Sequence, residues 1–66
     1  MSRKWLNSIR ESKNMTHESV AEKSGISRAY YTRIENGEYN VPVDTAKKIA
    51  EALEFDWTMF YKEERA

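Results

Sequence analysis

Wound at 100° per residue, the segment from Arg28 to Asn36 gathers Arg28, Thr32, Asn36, Ala29 and Arg33 within about 140° of arc. Tyr30, Tyr31 and Ile34 take the opposite side. One face is therefore small, polar and basic, and the other is bulky and apolar. Arginine can offer paired donors to the O6/N7 edge of guanine, and the methyl groups of Ala29 and Thr32 suit a thymine methyl. Asparagine and arginine also serve phosphate oxygens. The chemistry open to this face is contact with base edges and phosphates. An ordinary solvated helix face would give the same wheel, so the elements that position it have to decide.

Apolar residues recur at helical spacing throughout, and no segment alternates with the period of a strand. A first helix is predicted from about Ser2 to Lys13, with Ser2 as N-cap and Trp5, Leu6 and Ile9 facing inward. Thr16 is placed to cap a second helix, about residues 16–24, with Glu18 favourable in its first turn and Val20 and Ala21 inward. Gly25 sits where a helix ends in the left-handed conformation. Ile26 is expected to plug the angle that follows, and Ser27 to cap a third helix, about 27–36. A short turn containing glycine between two short helices describes a helix-turn-helix. Pro42 fits the start of a fourth helix whose inward stripe would be Val43, Ala46, Ile49, Ala50 and Leu53. Asp56 is expected to cap a short fifth helix carrying Trp57, Met59, Phe60 and Tyr61, and the charged tail from Lys62 to Ala66 to fray. The expectation is an all-α chain, a compact bundle of five helices forming one domain over residues 1–66.

Sixty-six residues leave little core from which to carve a catalytic pocket. His17 is the only histidine, there is no cysteine, and no carboxylate pair or glycine-rich phosphate loop accompanies them, so neither an enzyme nor a metal site is expected. No cofactor or small-molecule substrate is implied. No stretch reaches the ~20 apolar residues of a membrane span, and the N-terminal residues lack a signal-peptide layout, which makes a cytoplasmic protein the expectation. The net charge is zero, but residues up to Gly37 carry seven basic against four acidic groups and those after it four against seven. One end could thus meet an acidic partner while the other avoids it.

The stretch MTHESVAEKSGISRAYYTRIENGEYN, with GIS in the turn and RIENG closing the third helix, resembles the XRE family of Cro- and repressor-like helix-turn-helix domains. Together with AKKIAEAL the likeness runs from Trp5 to about Phe60. It implies a lambda-repressor-like fold and a double-stranded DNA operator as partner, bound by a homodimer at least on DNA. It further implies base reading by Arg28, Ala29, Thr32 and Arg33. The implied phosphate contacts are Thr16 and His17 at the start of helix two, Ser27, Tyr30 and Asn36 around helix three, and Arg10. Arg10 and Glu35 resemble a pair that ties helix one to the end of helix three, and Gly25 and Ile26 build the turn.

Departures from the family pattern carry expectations of their own. His17 stands where a glutamine usually contacts phosphate. Its proton could make DNA affinity pH-dependent, or it could be a solvated residue of the capping turn. Tyr31 occupies a core position where Ile or Val is usual, so its hydroxyl must find a partner or solvent. Glu38 replaces a common basic residue, which should weaken the grip on phosphate. Glu54 stands where glycine often ends helix four. The competing reading is a protein-interaction module such as an antitoxin or anti-repressor. It would use Trp57, Met59, Phe60 and Tyr61 as a surface, unless these close the core beneath helix one. Single-stranded RNA would need stacking platforms, for which Tyr30 and Tyr39 are the candidates.

Overall fold

The computed structural model describes residues 2–62. Within them the chain forms five helices: α1 (Lys4–Ser12), α2 (His17–Ser24), α3 (Arg28–Glu35), α4 (Val43–Leu53) and α5 (Met59–Lys62). None is long and apolar enough to cross a membrane. The helix-turn-helix forms through the residues the sequence assigns to it. Thr16 accepts a hydrogen bond from the Ser19 amide at 3.1 Å, while Ser19 Oγ accepts from the Thr16 amide at 2.9 Å, closing a reciprocal cap. Gly25 ends α2 at φ 73° in the left-handed region, where a side chain would be strained. Ser27 Oγ accepts from the Tyr30 amide at 3.0 Å and so starts α3. Ala21 is buried at the contact, where its small side chain lets α3 lie close across α2.

Leu6, Val20, Tyr31, Ile34, Ile49, Leu53 and Phe60 form the fully buried centre. α2 packs against both α3 and α4, and α1 lies against α3. Phe60 meets Trp5 edge-on at 5.1 Å between ring centroids, so the aromatic group of α5 does close the core beneath α1.

Four details differ from the local reading. Ser2 does not cap α1. Arg3 is the N-cap residue, without a side-chain cap, because its amide is drawn to the Glu35 carbonyl at 2.7 Å. Val43 is 47% exposed rather than inward, since the first turn of α4 projects past the core and Thr45 and Ala46 are the first buried residues. Asp56 closes a turn on the amide and hydroxyl of Thr58, at 3.0 and 2.8 Å, so α5 begins only at Met59 and Trp57 precedes it. Lys62 ends α5, while the rest of the expected tail, residues 63–66, lies outside the described residues.

Glu54 ends α4 at φ 60°, ψ 55°, the left-handed geometry that glycine occupies without strain. Its carboxylate is held by Lys13 Nζ at 2.8 Å on the exposed surface. Exposed pairs of this kind contribute little. Glu54→Gly is therefore expected to raise Tm by about 2–6 °C in a thermal melt, strain relief outweighing the lost pair. An unchanged or lower Tm would show that the pair, or the added freedom of the unfolded chain, dominates.

Candidate nucleic-acid interface

α3 is the element that carries the candidate face, and two neighbours fix its orientation. Tyr31 and Ile34 turn into the core and leave Arg28, Ala29, Thr32, Arg33 and Asn36 along an open surface groove that Glu38 also borders. Beside it, Arg10, Thr16, His17, Glu18 and Arg28 line a second shallow depression at the start of α2. Arg28 is common to both and sits where the ends of α2 and α3 meet. The first amides of α2 lack intrahelical acceptors by their position and point out of its N-terminus.

The groove residues are held differently. The Arg28 side chain is exposed and makes no hydrogen bond or ion pair among the described residues. Arg33 donates through Nη1 to the Tyr39 hydroxyl at 3.2 Å, an exposed contact that draws it towards the loop after α3. Tyr30 is half-buried against the core and tilts against Tyr39 with ring centroids 5.7 Å apart. The two rings therefore lean on each other, 59° between planes, rather than forming an open stacking platform. Ser27 Oγ and Thr16 Oγ1 each cap a helix by accepting from a backbone amide, and the Thr16 hydroxyl itself donates to Ser19 Oγ at 3.3 Å.

Beneath the groove lies a polar hub that ties together three helices. The Glu35 carboxylate, 7% exposed at its side chain, accepts from five donors. Arg10 donates to it through Nε at 3.0 Å and Nη2 at 3.3 Å, Asn7 Nδ2 at 2.9 Å, Tyr31 hydroxyl at 2.7 Å and His17 Nε2 at 3.1 Å. Burial pushes the Glu35 carboxyl up, but the bonds from Arg10, Asn7 and Tyr31 outweigh it and hold the group at about 2. Burial and the adjacent carboxylate both raise the Tyr31 phenol. The Arg10–Glu35 pair is only 11% and 7% exposed at its side chains, so salt and solvent screen it far less than a surface pair. Arg10 Nη1 donates to the Met15 carbonyl at 2.8 Å, so all three guanidinium nitrogens are engaged within the protein.

His17 is neither a free phosphate donor nor a solvated histidine. Its Nδ1 lies 2.8 Å from Thr32 Oγ1, its Nε2 bonds Glu35, and its ring meets Tyr31 edge-on at 5.4 Å. The helix wheel of α3 could not show this brace, because its other half comes from α2. Arg3 was also missed. It is 7% exposed, and it donates through Nη1 to the Ile34 carbonyl at 2.6 Å and through Nη2 to the Tyr39 carbonyl at 2.9 Å, closing the C-terminal end of α3. Nothing local marks a basic residue near the chain start for burial.

Comparison with known proteins places this arrangement. The family model described as Helix-turn-helix matches residues 6–60. The chain is similar to the uncharacterized HTH-type transcriptional regulator YqaF of Bacillus subtilis strain 168, 51% identical over 63 residues that span 96% of this chain and 83% of YqaF. It is also similar to the HTH-type transcriptional repressor RghR of the same strain, 42% identical over 59 residues. That match covers 86% of this chain but 44% of RghR, so the chain spans under half of that relative. Among solved structures, the restriction-modification controller protein C.AhdI from Aeromonas hydrophila superposes with a TM-score of 0.77 at 31% identity over 83% of each chain. C.Esp1396I, solved bound to a 25-base-pair operator site, superposes with a TM-score of 0.72 at 31% identity over 88% of this chain and 76% of that one.

Proposed function

The chain belongs to the XRE-type helix-turn-helix family, and from that premise we propose that it is a sequence-specific double-stranded DNA-binding transcriptional regulator that acts as a repressor. The observation that carries the reading is the open groove of Arg28, Ala29, Thr32, Arg33 and Asn36 on α3, set beside the N-terminus of α2. α3 enters the major groove and α2 crosses the backbone, its first amides directed at a phosphate. Arg28 is the principal base reader. Arg33 and Thr32 read alongside it, Ala29 offers a methyl contact, and Asn36, Thr16 and the His17 amide meet the backbone. Arg10 acts through Glu35 on the pose of α3. Repression follows from occupying operator DNA that transcription requires.

The longest extent of the described chain is 29 Å, less than the ~34 Å between half-sites one helical turn apart. One copy therefore covers one half-site, and a symmetric pair of copies reads a full operator.

The test begins with duplexes selected from a random pool. On an enriched duplex, with four to six phosphates neutralised, affinity is expected to fall by a factor of about 10²–10³ between 50 and 200 mM salt. Arg28→Ala is expected to cost about 1–3 kcal/mol on that duplex and to relax preference at one position. Sedimentation of the complex should give two copies per duplex. Salt-insensitive association, or no enrichment at low salt, would sink the reading. An equal loss for Arg28→Ala on every sequence would make that residue a phosphate contact.

A further inference from the structure

We propose that His17 sets the hydrogen-bonding polarity of the Thr32 hydroxyl and thereby decides which base edges Thr32 reads. The inference rests on the DNA-binding reading above. It starts from Glu35, whose carboxylate is already the acceptor for Arg10, Asn7 and Tyr31 and can only accept. The Nε2 of His17, 3.1 Å from Glu35 Oε1, must therefore carry a proton in every state of the ring. In the neutral imidazole the remaining nitrogen, Nδ1, is then an acceptor. Its neighbour at 2.8 Å is Thr32 Oγ1, so the hydroxyl must donate inward. A hydroxyl has one hydrogen. Once that is spent on His17, Thr32 turns only lone pairs towards the groove it lines with Arg28 and Asn36.

An acceptor in the major groove pairs with the amino groups of adenine or cytosine. Protonation of His17 reverses the sense of the bond. Nδ1–H then donates to Thr32 Oγ1, the hydroxyl hydrogen swings outward, and Thr32 becomes a donor suited to guanine O6/N7 or thymine O4. The geometry lets this happen without moving the helices, because the ring is kept in place by Tyr31 edge-on at 5.4 Å and by Glu35. The charged and titratable groups around the ring are Glu35 and Tyr31 from α3, Arg10 from α1, Arg28 at the start of α3, and Glu18 from α2 itself. His17 is thus a positioning residue that acts on DNA through Thr32.

The test uses the full chain in two measurements. Long-range proton–nitrogen correlation of the ¹⁵N-labelled protein at about pH 8 should show His17 protonated at Nε2 alone. Duplexes are then selected from a random pool at about pH 8 and about pH 5.5, either side of the ordinary imidazole range. One position is expected to move from cytosine or adenine towards guanine or thymine at the lower pH, by about fivefold or more in relative enrichment. Thr32→Val should erase the preference at that position at both pH values. His17→Ala should leave it relaxed and pH-independent, since the hydroxyl can then turn either way. An Nδ1–H tautomer at pH 8 overturns the inference. So do enriched duplexes whose preferences do not change with pH, or a preference that survives Thr32→Val. If no duplex is enriched at either pH, the DNA-binding reading fails and the inference falls with it.

Discussion

Glu35→Ala is expected to cost about 3–5 kcal/mol and to leave the fold barely populated at 25 °C. A chain of 66 residues has a total stability of about 3–10 kcal/mol, so a loss of this size uses most of it. The magnitude comes from what is left behind. Arg10, 11% exposed, would keep its charge without its carboxylate, and the buried Tyr31 hydroxyl and the Asn7 amide would each lose an acceptor. Glu35→Gln keeps the shape but turns an amide donor towards Arg10 or Asn7, so it should recover only part of the loss. The same hub makes the protein acid-labile in a defined window. The folded carboxyl sits at about 2 against an ordinary 4.5, a depressed value, so its contribution is complete above the unfolded value and disappears as pH falls towards 2. Urea unfolding should give a stability that is flat above about pH 5 and smaller by on the order of 3 kcal/mol near pH 2. A variant that unfolds at nearly the wild-type urea midpoint, or a profile without that acid step, would remove Glu35 from the centre of the fold.

Local chemistry carried the sequence reading as far as local chemistry reaches. Thr16, Gly25 and Ser27 could be placed because a cap or a left-handed residue is decided within four residues of chain. The wheel of α3 was legible because its apolar side is continuous, and the groove face emerged by subtraction. The Arg10–Glu35 pair came from the likeness to a family, which gave the partners without their burial. The parts that escaped are closures across the fold. Arg3 bonds carbonyls 31 and 36 positions away, and His17 reaches Thr32 and Glu35 at 15 and 18. No periodicity encodes such contacts, since they exist only once α1 and α2 have docked on α3. Ser2 failed as a cap for the same reason: a tertiary hydrogen bond to the end of α3 fixes Arg3 and outcompetes the local rule. Val43 shows the converse limit. It keeps the spacing of its helix face but lies beyond the edge of what the other helices cover.

Arg3→Ala is expected to destabilise the protein by about 2–4 kcal/mol. The last carbonyls of a helix have no intrahelical donor, and a cation near them is favourable. Arg3 meets both needs for α3. Its amide donates to Glu35, its Nη1 to Ile34, and its Nη2 reaches the Tyr39 carbonyl in the following loop. The guanidinium also lies 5.7 Å from the centre of the Phe60 ring, which adds the attraction of a cation over an aromatic face. Arg3→Lys preserves charge but has no planar fork to serve two separate carbonyls, so it should recover less than half of the loss. The functional consequence runs through the loop. Tyr39 is the group on which Arg33 and Tyr30 lean, so freeing its backbone loosens one wall of the groove. Amide hydrogen exchange should therefore quicken first at Gly37 and Glu38, whose N–H groups close the end of α3 on Ile34 and Arg33, while Val20 in α2 keeps its protection until global unfolding. A loss below about 1 kcal/mol with unchanged exchange at Gly37 and Glu38 would mean that Phe60 packing, and not the hydrogen-bonded cap, is what Arg3 supplies.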